Sequence, residues 1–164
     1  MRIGIPKEMN EKETRVAIVP VSIPKLIKLG FEVIVEKGAG KLSGYSDSEY
    51  EAKGAKVDSF EKVIECELIT CIDVPNFEQM KKGQMLACVA DPFRNLEQTR
   101  KIVDAGITLL SLEVIPRRLS KGQSMDVNSS QDNLSGYKAA LMGSQRISKM
   151  VPTVSYTHLR AHET

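Results

Sequence analysis

Six short apolar runs recur along the chain: "RIGIP", "FEVIVE", "AKV", "ELITCIDV", "QMLACVA" and "ITLLSLEVI". Helical segments of about ten residues separate most of them, and this alternation constrains the fold more than any other feature. The runs are continuously β-branched or Leu-rich rather than alternating, as strands buried on both faces are. They therefore predict an α/β fold: a doubly wound, mostly parallel sheet with helices on both faces, joined by right-handed crossovers.

The intervening helices carry their own signals. "PVSIPKLIKLG" reads as a helix with Val21, Leu26 and Leu29 on one face and Gly30 as its stop. "SDSEYEAKG" is a helix capped by Ser or Asp and ended by Gly54. "FEKVIEC", "NFEQMKKG" and "NLEQTRKIVDAG" complete the alternation as helices. The stretch 116–130, "PRRLSKGQSMDVNSS", has no clear period, and a helix of about twenty residues is expected from Gln131.

Composition removes several functions. Lys and Arg number 23 against 21 Asp and Glu, a net charge of +2 too even for a nucleic-acid or membrane-surface binder. Aromatic residues are 5%, without Trp, so base-stacking platforms are not expected. No run approaches a membrane span, so no direct membrane insertion is expected. Cys66, Cys71 and Cys88 form no Cys-x-x-Cys pair and read as buried small apolar residues.

Three motifs need weighing. "EKGAGKLSG" carries Gly38, Gly40 and Gly44, but the third spacing is one residue long and no helix opens at once. A pyrophosphate needs N–H groups at a helix start, so a plain turn is the better reading. His158 and His162 stand four apart in "HLRAH" without a third ligand, which reads as a frayed terminus rather than a metal site. Arg15, in "PKEMNEKETRVAIVP", is either a surface ion-pair residue or an anion clamp at the carboxyl end of the first strand.

Three stretches carry a family resemblance. "RIGIPKE" with "ETRVAIVP" resembles the opening of alanine dehydrogenase and of the NAD(H)-binding alpha subunit (domain I) of proton-translocating NAD(P) transhydrogenase. "VEKGAGKLSGYSDSEYEAKGA" resembles the same family's second strand and turn. "EVIPRRLSKGQSMDVNSSQDNLSGYKAAL" is similar to the transhydrogenase loop known as the RQD loop and the helix behind it.

The resemblance implies a cofactor-positioning role. It places the loop's Arg on Arg118, its Gln on Gln123, its Asp on Asp126 and its Ser on Ser129. One extra residue between Pro116 and Gln123 leaves Arg117 as an alternative to Arg118. Leu119, Ser120 and Arg15 are further candidates for contact with the cofactor. In the family such groups hold the nicotinamide and nearby ribose of NAD(H) against NADP(H) bound by a partner subunit or domain. Hydride transfer is the cofactor's own chemistry, so amide, hydroxyl and guanidinium groups that orient the ring suffice. Asp126 is expected to orient Arg118 through a charge-assisted bond.

Alanine dehydrogenase resembles the chain less well. Its substrate Lys belongs four residues before Pro75, where Cys71 stands, and its His belongs near "MLACVADPF", which has none. A non-catalytic α/β interaction domain is the remaining alternative, and the Gln123/Asp126/Ser129 pattern counts against it.

The resemblance further implies NADP(H)-binding and membrane-spanning partner components, a homodimer, and a cytoplasmic place peripheral to the inner membrane. It divides the chain into a domain over 1–153, ending in an interdomain helix, and a tail over 154–164 read as non-native. The family's NAD-binding Rossmann domain is expected to be missing, so the chain alone should bind NAD(H) weakly.

Overall fold

The computed structural model of the chain describes residues 1–149. It divides into two compact units, residues 1–125 and a second beginning at Asp126.

The first unit holds six strands: β1 (Arg2–Ile5), β2 (Glu32–Glu36), β3 (Lys56–Asp58), β4 (Leu68–Thr70), β5 (Met85–Cys88) and β6 (Thr108–Ser111). Every apolar run singled out in the sequence is a strand. They form one sheet in the order β3-β2-β1-β4-β5-β6, with every pairing parallel. This is the dinucleotide-binding order rather than the flavodoxin one.

Period-two alternation divides the core between the two faces of the sheet. Ile5, Val33 and Val35 pack with Ile23 of α1 (Ile23–Lys28) and Tyr50 of α2 (Asp47–Ala52). Ile34, Ile69 and Leu86 join a second cluster with Val63 of α3 (Phe60–Val63) and Ile102 of α4 (Leu96–Asp104). Helices α1 and α2 thus cover one face, α3 and α4 the other.

Three helix expectations need correction. Val21 belongs to a 3-10 turn, Pro20–Ser22, so the apolar count from Val21 to Leu29 does not follow one helix. Val21 and Leu29 are more than 70% exposed, and Ile23 is the buried anchor. "NFEQMKKG" makes only a 3-10 turn, Phe77–Gln79, because Met80 turns extended and is buried in the core. The last helix, α6 (Asn128–Arg146), starts three residues before Gln131.

In α2 the Glu49 carboxylate accepts the Ser46 N–H at 2.7 Å, the reaching-back half of a capping box. That bond holds Glu49 below the usual carboxylate range.

Helix α6 lies in the second unit and buries none of its residues, with Leu134, Tyr137, Leu141 and Met142 all exposed. No helix among the described residues is long and apolar enough to cross a membrane. His158, His162 and the tail over 154–164 lie outside the described residues.

Candidate functional site

The sheet order places a switch point between β1 and β4. The chain leaves β1 toward β2 on one side, and β4 lies on the other, so their exit loops diverge. In open α/β sheets the crevice so formed takes ligands.

Glu8, three residues past β1, reaches across this crevice. Its carboxylate accepts the Ile72 N–H at 2.7 Å and the Asp73 N–H at 3.1 Å, just beyond β4. Burial pushes its pKa up, and those two bonds draw it partly back. Asn10 Nδ2 donates to Asp73 Oδ2 at 3.2 Å. The exit of β1 is thereby stitched to the exit of β4.

Arg15 lies in the same loop. Its Nε and Nη2 donate to the two carboxylate oxygens of Glu13 at 2.8 and 2.6 Å. Of the two readings of Arg15, the structure shows the ion pair, both guanidinium donors lying on the Glu13 carboxylate. The Arg15 guanidinium holds the Glu13 carboxyl below its ordinary 4.5. Such a carboxyl stabilises the fold above its unfolded value, and that contribution is lost as pH falls through the folded value. Arg15 is half exposed, so the pair is worth roughly 0.5–1 kcal/mol. Urea midpoints should show Glu13→Gln less stable than wild type at neutral pH, the gap narrowing as pH falls below the ordinary carboxylate range.

A cleft of about 660 Å³ opens at the carboxyl ends of β1 and β2, lined by Lys7, Glu8, Glu11, Glu36, Phe60 and Asn76. Its carboxylates outnumber its one cation, which opposes a phosphate ligand. The nearby glycine turn is also closed to phosphate. Gly38 N–H donates to Asp47 Oδ1 at 2.8 Å, and the Tyr50 ring packs where a Gly40 side chain would stand. A pyrophosphate would meet a carboxylate there rather than free N–H groups.

The polar loop begins beyond β6. Glu113 Oε1 accepts the Ser111 hydroxyl at 2.7 Å and the Asp91 N–H at 2.5 Å, tying the exits of β6 and β5. Residues 116–123 then fold back on themselves. Leu119 N–H donates to Pro116 O, and Gln123 N–H to Leu119 O, forming the one-turn helix α5 (Ser120–Gln123). Gly122 is buried so closely on the Pro116 carbonyl that no Cβ fits. The backbone is fixed from within, while Arg117, Arg118, Leu119, Ser120 and Gln123 are all exposed.

Asp126 and Ser129 stand in the second unit and are brought together at the start of α6. Asp126 Oδ1 accepts the Asn128 and Ser129 N–H groups at 2.9 and 3.1 Å, and Oδ2 accepts the Ser129 hydroxyl at 2.5 Å. The carboxylate caps the helix and complements its dipole. This cap explains why α6 begins at Asn128.

Cys71, at the position the dehydrogenase resemblance reserves for Lys, is 3% exposed at the end of β4. Sequence reasoning passed over Glu8, Glu113 and Gly122. Glu8 had a usable signal, an acidic residue two positions behind a strand-ending Pro. Glu113 and Gly122 had none, because each acts on a backbone group brought close only by the fold.

Comparison with known proteins decides the family. The description "Alanine dehydrogenase/PNT, N-terminal domain" matches residues 4–135. The chain belongs to this family. As an alanine dehydrogenase/PNT N-terminal domain it is 35% identical over 144 residues to NAD(P) transhydrogenase subunit alpha of Haemophilus influenzae. That match covers 86% of this chain and 28% of the relative. Alanine dehydrogenase 1 of Staphylococcus aureus is 31% identical over 146 residues, covering 87% of this chain and 38% of that protein. The crystal structure of a transhydrogenase from Sinorhizobium meliloti superposes with a TM-score of 0.85 at 34% identity. It covers 94% of this chain and 48% of that one. The alanine dehydrogenase/PNT N-terminal domain thus spans less than half the length of each relative.

Proposed function

We propose that this chain is the nicotinamide-positioning part of an NAD(P) transhydrogenase alpha subunit. The observation that carries this reading is the polar loop, whose backbone is locked by Gly122 while its polar side chains face outward. NAD(H), when bound, supplies or accepts the hydride. The donor set suits it: the Arg118 or Arg117 guanidinium and the Gln123 amide match a carboxamide and a ribose hydroxyl. Asp126 and Ser129, joined at the start of α6, would hold the remaining ribose contact.

The cofactor's phosphates belong to another domain. Among the described residues the glycine turn and the acidic cleft both reject them. A partner component would present NADP(H), and a membrane-spanning component would couple transfer to proton movement. The domain over 1–153 would then end in an interdomain helix and sit in a homodimer, peripheral to the inner membrane.

The test uses the full-length protein with an NADP(H)-binding component, following hydride exchange from NADPH to an NAD+ analogue. Arg118→Ala and Arg117→Ala are measured separately, and one of them should lower the exchange rate about tenfold or more. No exchange in the unsubstituted protein, or alanine-dependent reduction of NAD+, would overturn the reading.

A further inference from the structure

Two of the three cysteines meet at the carboxyl edge of the sheet. The register Leu68↔Met85, Ile69↔Leu86, Thr70↔Ala87 carries Cys71 to the place opposite Cys88. Just past the last ladder pair, Cys71 N–H donates to Ala87 O at 3.2 Å and Val89 N–H to Ile72 O at 2.9 Å, so the two chains still run side by side there. Ile69, Cys71, Leu86 and Cys88 share one face and one core cluster. Adjacent parallel strands hold such residues about 4.8 Å apart. That lies inside the Cα separation of about 4.4–6.8 Å that a disulfide accepts.

We infer that Cys71 and Cys88 form an oxidisable pair that closes to a disulfide between the ends of β4 and β5. The inference does not rest on the transhydrogenase reading. The Cys71 sulfur attacks the O–O bond of a hydroperoxide and becomes a sulfenic acid, its proton leaving with the departing oxygen as water. The Cys88 sulfur then displaces the sulfenic hydroxyl as a second water. Two thiols and one hydrogen peroxide thus give one disulfide and two waters.

Attack starts at Cys71, which is 3% exposed, whereas Cys88 is fully buried. The contact with Cys88, together with burial, holds the Cys71 thiol well above its ordinary value, so the oxidation is slow. Cys66 supplies an internal comparison. It stands in the turn before β4, with its thiol turned to Lys62 O at 3.7 Å. The new bond would brace the backbone at Ile72 and Asp73, the two N–H groups that Glu8 holds.

The experiment treats the folded chain with hydrogen peroxide, denatures it in iodoacetamide and maps the peptides. The expected product has one alkylated cysteine, Cys66, instead of the three free thiols of the untreated chain. Its intact mass, before alkylation, is lower by about 2 Da, and dithiothreitol reverses the change. Cys66→Ser should leave the cross-link unchanged, whereas Cys71→Ser or Cys88→Ser should abolish it. A link that includes Cys66, sulfinic acid at Cys71 with Cys88 still free, or three alkylated cysteines after prolonged treatment would overturn the inference. The map of the unsubstituted chain decides the matter even where a variant fails to fold.

Discussion

Under the proposed function, Gly122→Ala is expected to remove most hydride exchange from the full-length protein while leaving the sheet intact. The added methyl would sit on the Pro116 carbonyl oxygen, a backbone atom that cannot move without opening the turn. Overpacking of this kind costs about 1–3 kcal/mol, here concentrated in residues 116–123. The hydrogen bonds from Leu119 to Pro116 and from Gln123 to Leu119 would be the first lost. Misplacing a positioning group by about 1 Å can cost on the order of 100-fold in rate. Hydrogen exchange should therefore rise in residues 116–125, with protection of β1, β4 and β5 unchanged. Exchange activity within a factor of two of wild type would show that the loop's locked backbone is irrelevant to the reaction.

Tyr50→Ala is the substitution expected to cost the most stability. The side chain is fully buried and packs in the cluster that includes Ile5, Ile23, Val33 and Val35. It meets Tyr45 edge-on at 6.5 Å and donates its hydroxyl to Ile18 O at 2.9 Å. Removing a buried aromatic ring costs about 3–5 kcal/mol. In a chain of this size that lowers Tm by roughly 10 °C or more. Tyr50→Phe isolates the hydrogen bond and should cost only about 1–2 kcal/mol. Burial pushes the Tyr50 pKa up to about 12, so wild type loses stability as pH rises from 10 toward that value. Tyr50→Phe should lose less over the same interval in thermal melts.

The strands were legible because parallel-sheet runs announce themselves in one dimension: "FEVIVE" or "QMLACVA" needs no neighbour to be recognised. Helices depended more on the fold. The turn at Phe77–Gln79 is set by Met80 being drawn into the core, and no local propensity reports that. The start of α6 was masked for a similar reason, since it rests on Asp126 folding back onto Asn128 and Ser129. At the switch crevice Arg15 was visible as a cation in an acidic run. Its pairing with Glu13 depended on where that carboxylate points. Positions 117–123 were marked by the family resemblance, but the buried glycine that shapes them looked like any loop glycine.

The position of β1 has a consequence for how the chain is made. β1 is synthesised before either of its neighbours, yet it lies inside the sheet, with Ile3 paired to Val33 on one side and Leu68 on the other. The half-sheet β1–β2–β3 can close with α1 and α2 over the face bearing Ile5, Val33 and Val35 while β4 is still unmade. Ile34 points to the opposite face, whose cover comes from α3 onward. During elongation this intermediate would present a bare apolar surface and an open β1 edge, the two features that invite chaperone capture or misassociation. Slowing translation between β3 and β4 would lengthen that exposure, so the yield of folded protein should depend on elongation speed across that interval.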